Sequence, residues 1–103
     1  MDNLIPGNTV NLGGTQYVVP PLSFKQLRML LGKISLISTI GGVPTDEQMD
    51  AIIDVVLASL SRNYPDATRE QVEDMLDLGN AAPVIQAIMG ASGLEQGEAV
   101  GSR

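Results

Sequence analysis

Apolar residues along this chain recur with two different periods, and the change from one to the other sets its organisation. Thr9-Val10-Asn11-Leu12 and Thr15-Gln16-Tyr17-Val18-Val19 flank Gly13-Gly14. That pattern predicts two short strands joined by a two-residue turn, because such turns need the positive φ that glycine allows. Pro20-Pro21 ends the second strand by removing two backbone donors. An isolated hairpin is marginal in water, so this one is expected to pack on helices or pair with another chain's edge.

Beyond the prolines the spacing becomes helical. Ser23 caps a helix expected from Phe24 to about Ile40, with Phe24, Leu27, Leu30, Leu31, Ile34 and Ile37 at helical intervals. Gly32 and the cluster Ser35, Ser38 and Thr39 weaken its second half, which predicts a kink or an end near Lys33. After the break at Gly41-Gly42-Val43-Pro44, Thr45-Asp46-Glu47-Gln48 has the form of a capping box, with two acids at the positive end of the helix dipole. The helix it starts runs to about Arg62. Met49, Ile52, Ile53, Val56, Leu57 and Leu60 form its apolar stripe, while Asp46, Asp50 and Asp54 lie four apart on the other side.

Asn63-Tyr64-Pro65-Asp66 makes the next turn, and Thr68-Arg69-Glu70-Gln71 repeats the capping pattern. The third helix is expected from Arg69 to about Leu78, with Val72, Met75, Leu76 and Leu78 inward, its acids outward and Gly79 as its stop. Asn80 is expected to cap a fourth helix from Ala81 to about Ala91, where Pro83 is tolerated in the first turn. These elements give a mainly α fold, a small bundle of about four helices with an N-terminal β-hairpin at about residues 8–20. Residues 1–92 form a single domain and 93–103, rich in Gly, Glu and Gln, a flexible tail.

Composition narrows the chemistry. With only Tyr17, Phe24 and Tyr64 as aromatics in 103 residues, the core must be aliphatic, which suits helix-on-helix packing. The absence of Cys and His removes disulfides, thiolate nucleophiles and the commonest general base and metal ligand, which argues against an enzyme. The most apolar run, Leu36 to Val43, falls well short of the ~20 residues that span a membrane, and no secretory signal stands at the start. The expected location is therefore the cytoplasm.

Charge is divided along the chain. Residues 1–45 carry Lys25, Arg28 and Lys33 against Asp2, whereas residues 46–103 carry eleven acids against Arg62, Arg69 and Arg103. The acidic half is a poor match for nucleic acid and suits a basic or amphipathic protein partner. The aspartate row of the second helix and the acids Glu70, Glu73, Asp74 and Asp77 of the third read as solvated faces, because a hard-cation site bends a loop around its ion. The glycine pairs lack the Gly-Lys-Ser/Thr or G-x-G-x-x-G context of a phosphate loop. No cofactor is implied. Met29, Met49, Met75 and Met89 fall on apolar helix sides, as core residues or as an adaptable binding surface. Tyr64 either packs before the Thr68-capped turn or anchors a partner.

The stretch Asn63-Tyr64-Pro65-Asp66-Ala67-Thr68-Arg69-Glu70-Gln71-Val72-Glu73-Asp74-Met75-Leu76-Asp77-Leu78-Gly79-Asn80, with Val84-Ile85-Gln86-Ala87-Ile88-Met89-Gly90 after it, resembles the tail assembly chaperones of long-tailed phages and prophages. The resemblance covers about a third of the chain. It implies a mostly helical, non-enzymatic protein that coats the long helical tape measure protein before the tail tube polymerises, made in two lengths through a translational frameshift. The tape measure protein is then the expected partner, with the tail tube protein or further copies of the chain as others. On this reading Tyr64, Val72, Met75, Leu76, Ile85 and Met89 are the candidate contacts, receiving an amphipathic helix in the manner of a helix-in-groove complex. Two rival readings are a small structural tail or neck component and an acidic helical adaptor or regulator.

Overall fold

The computed structural model describes residues 4–91, so the expected tail at 93–103 lies outside the described residues. The chain folds as strands β1 (Asn8–Leu12) and β2 (Thr15–Val19), then helices α1 (Phe24–Ile37), α2 (Asp46–Asn63), α3 (Arg69–Met75) and α4 (Ala81–Ala91). The mainly α architecture with an N-terminal hairpin is the one expected from the sequence.

The hairpin is antiparallel, pairing Leu12 with Thr15 across the turn and Asn8 with Val19 at its open end. Gly13 and Gly14 have φ of 61° and 88°, the double positive φ of a type I′ turn, which an L side chain would strain. Leu12 and Val19 point into the core. Thr9 and Val18 fall at a non-hydrogen-bonded pair, so the backbone groups of Val18 project off the edge of the sheet. They are met from α2 and its cap: the Val18 N–H donates to the Tyr64 hydroxyl at 2.9 Å, and the Asn63 side-chain amide donates to the Val18 carbonyl at 3.2 Å. Asn63 also donates to the Ile5 carbonyl at 2.9 Å and accepts from the Ile5 N–H. The end of α2 thus closes one hairpin edge and holds the strand entering it.

Helix α2 is the centre of the molecule. Ala51, Ile52, Ile53, Val55, Val56, Ser59 and Leu60 are all buried, joined in the core by Leu12, Val19, Val72, Val84 and Ile88. Each fully buried aliphatic side chain of this size contributes ~1.5–3 kcal/mol relative to exposure. The buried hydroxyl of Ser59 donates to the Pro20 carbonyl at 2.7 Å, linking α2 to the end of β2. Arg62 donates to the Pro21 carbonyl next to it.

All three Ser/Thr-x-x-Gln starts form reciprocal capping boxes, at Ser23, Thr45 and Thr68. Helix ends depart from expectation in three places. First, α1 runs through Gly32 and Lys33 as helix and stops at Ile37, where the Ser38 and Thr39 hydroxyls donate to the carbonyls of Ser35 and Leu36 and cap the last turn. Second, α3 ends at Met75, and Gly79 lacks the positive φ of a glycine helix stop. The cause is a knot of side chains. The Asp77 carboxylate accepts from the Gly79 and Asn80 amides, and the Asn80 side chain accepts from the Asp77 N–H while donating to the Met75 carbonyl. Third, Asn80 stands at the start of α4, its carbonyl accepting from Val84, but its side chain serves α3 instead of capping α4.

Replacing Asn63 by Ala removes the side chain that links Ile5 and Val18 to α2 and leaves part-buried backbone groups without partners. The expected loss is ~1–3 kcal/mol of unfolding free energy, measured by urea denaturation. A loss within ~0.5 kcal/mol, the range of an ordinary surface change, would show that the hairpin is held by apolar packing alone.

Candidate functional site

A groove of about 400 Å³ opens where the first two turns of α2 face the end of α3 and the start of α4. Ile52, Ile53 and Leu76 form its apolar base; Met49, Leu78, Pro44 and Ala81 complete the apolar lining. Around them stand Asp46, Asp50, Glu73 and Asp77, with no cation among the lining residues. Met49 is 40% exposed and Leu78 71% exposed, so neither is a core residue. A concave surface with low-dielectric walls and charges of one sign concentrates its potential on whatever enters.

The sequence places these residues for local reasons. The Thr45 box fixes the start of α2, which sets Asp46, Met49, Asp50 and Ile53 at i, i+3, i+4 and i+7 on one edge. Because the Asp77–Asn80 knot stops α3 early, Leu78 lies on the following turn and projects outward instead of continuing the inward stripe expected of it. Arg69 then clamps α3 to α2 by donating to Asp54 at 2.7 Å and to Asp50 at 2.9 Å, and Lys33 of α1 meets the same Asp54 at 3.2 Å. The aspartate row is therefore only partly a solvated face: two of its three members bridge helices. The hydrogen bond to Asp50 raises the Arg69 pKa above its ordinary value, outweighing the opposing desolvation with help from the charges of Asp54, Asp50 and Glu73.

The candidate contacts from the sequence do not converge. Leu76 alone lines this groove. Val72 is fully buried and belongs to the core, which removes it as a contact residue in this fold. Tyr64 and Met75 line a second depression on the hairpin side of α3, about 550 Å³, shared with Leu12, Tyr17, Gln71 and Asp74. There Tyr64 packs edge-on against Tyr17, with centroids 5.3 Å apart, and its hydroxyl is occupied by the Val18 amide, so its role in the structure is to hold the hairpin. Ile85 and Met89 are half-buried against the core on α4 and line neither depression. Met49, Leu78, Pro44 and Ala81 line the groove but were not among the candidates read from the sequence. The signal for Leu78 was the Asp77-x-x-Asn80 pair, a side-chain turn that competes with helix.

Among the described residues no cluster of three or more acids is placed to hold a metal ion, and no helix is long and apolar enough to cross a membrane. Comparison with family models, with curated proteins and with solved structures finds no match. The groove's own chemistry is therefore what bears on function.

Replacing Arg69 by Met removes the clamp but keeps most of its bulk. These pairs are exposed, so the expected loss is under ~1 kcal/mol in low salt and smaller in high salt, read as a shift in the urea midpoint. A loss independent of salt would mean that packing of the arginine stem, and not its charge, holds α3.

Proposed function

We propose that this protein is a non-enzymatic assembly chaperone of the phage tail type, which keeps a long helical partner, the tape measure protein, in solution by binding its amphipathic segments. The observation that carries the reading is the groove between α2, α3 and α4, apolar at its base and edged by Asp46, Asp50, Glu73 and Asp77. An amphipathic helix places apolar residues at i, i+3, i+4 and i+7, which fits a groove bounded by helices, and Lys or Arg flanking that stripe meets the acids. The acids supply orientation and speed of encounter, while desolvation of the apolar base supplies most of the affinity. The resemblance of Asn63–Asn80 to tail assembly chaperones supports the choice of partner, and the groove's residues Glu73, Leu76, Asp77 and Leu78 fall inside that stretch.

Within this reading the contact set becomes Met49, Leu76 and Leu78 with their acidic neighbours, keeping Leu76 and replacing Tyr64, Val72, Ile85 and the methionines Met75 and Met89. Both of those methionines are half-buried against the core, so changing them to Asp would test folding as much as binding.

Leu78→Asp and Met49→Asp alter exposed or half-exposed side chains and should leave the fold intact by circular dichroism. Each is expected to weaken binding of a synthetic Lys/Arg-flanked amphipathic peptide by at least ~10-fold, equivalent to ~1.4 kcal/mol. The double variant should also fail to carry a co-expressed tape measure fragment into the soluble fraction. Unchanged peptide affinity in the folded double variant would remove the groove from the account.

A further inference from the structure

The first helix carries a second unpartnered apolar surface. Leu30, Ile34 and Ile37 of α1 pack toward the core, Gln26 donates to the Ala58 carbonyl at 2.9 Å, and Lys33 reaches Asp54. That inner side holds α1 on α2. The outer side presents Phe24, 87% exposed, and Leu31, 55% exposed, with half-buried Leu27 between them. No residue of α1 is fully buried. The helix also carries Lys25, Arg28 and Lys33 and no acid.

From this surface we propose that a second copy of the chain is the occupant: the outer side of α1 in one copy docks in the acid-edged groove of another. The inference rests on the groove reading above and goes beyond it by naming a competitor for the site. Two matches on the molecule carry it. Phe24, Leu27, Arg28 and Leu31 stand at i, i+3, i+4 and i+7, the same spacing as Asp46, Met49, Asp50 and Ile53 along the groove's α2 edge. Both sets extend over two turns, about 10 Å. The charges are opposite: Lys25 and Arg28 face a groove edged by Asp46, Glu73 and Asp77, the fourth acid, Asp50, being paired with Arg69.

Within one chain the stripe cannot reach the groove, because α1 is fixed to α2 by its other side. The contact is therefore head-to-tail, and each added copy offers a fresh stripe and a fresh groove, which generates open chains or rings. Self-docking occupies the surface that an amphipathic partner needs, so association of copies and capture of the partner exclude each other at that groove.

The test is sedimentation velocity on the full chain over rising concentration, with two double variants, Phe24→Glu/Leu31→Glu on α1 and Met49→Asp/Leu78→Asp in the groove. The wild type is expected to form species larger than dimers that retreat as salt is raised, and each variant alone to stay monomeric, its association weakened by at least ~10-fold. An equimolar mixture of the two variants should form two-chain species and stop there, since each supplies the face the other lacks. A wild type that stays monomeric throughout, an α1 variant that associates like the wild type, or a mixture that fails to pair overturns the proposal. Peptide binding by the α1 variant separates the two readings. If it binds the basic peptide while copies do not associate, the groove reading stands and self-docking falls; if it binds nothing, the groove reading falls as well.

Discussion

Helix α2 carries this fold: with three aromatic residues in the chain the core is aliphatic, and α2 supplies the largest share of it. The other three helices and β2 all pack against it, and most of the buried residues lie on it. Val55 and Val56 are adjacent and both fully buried, so α2 is covered on more than one side. Its polar groups serve the same end: Ser59 and Arg62 hold the proline segment, Asn63 and the following Tyr64 hold the hairpin, and Asp50 and Asp54 hold α3 and α1. The helices around it each have one side on α2 and another turned outward. Where those outward sides are apolar, as along α1 and at the groove edge, they are surfaces that the monomer leaves unpartnered.

Much of this was legible because the signals were local. The Ser23 cap, two Thr-x-x-Gln starts and one Gly-Gly turn are each determined by residues within four positions of one another, and all formed as expected; that Gln26 completes a third box at Ser23 emerged only in the fold. Helix ends were harder to read. They depended on side chains choosing between backbone partners, as with Asp77 and Asn80 closing α3 or Ser38 and Thr39 closing α1. Periodicity reported that α1 had an apolar side but could not say which part of a broad stripe would meet α2. That depended on Gln26 and Lys33 finding partners 32 and 21 positions away on another helix.

The candidate site was legible in its charge and illegible in its geometry. The acids of the second and third helices were visible as rows, and their location in the second half of the chain pointed to a basic or amphipathic partner. Which apolar residues stand among them is a tertiary fact. Val72 and Leu78 are both apolar residues of the same stretch, yet one is fully buried and the other largely exposed, because α3 ends between them. Met49 belongs to the stripe of α2 by spacing but sits at its start, where α3 and α4 do not close over it.

Entry of an amphipathic helix between α2, α3 and α4 can be followed residue by residue with nitrogen-labelled NMR and a Lys/Arg-flanked amphipathic peptide. The largest amide shifts are expected at Met49, Asp50, Glu73, Leu78 and Ala81, with the hairpin side of α3 nearly still. Shifts centred instead on Tyr17, Gln71 and Asp74, or spread evenly over the acidic surface, would contradict entry there.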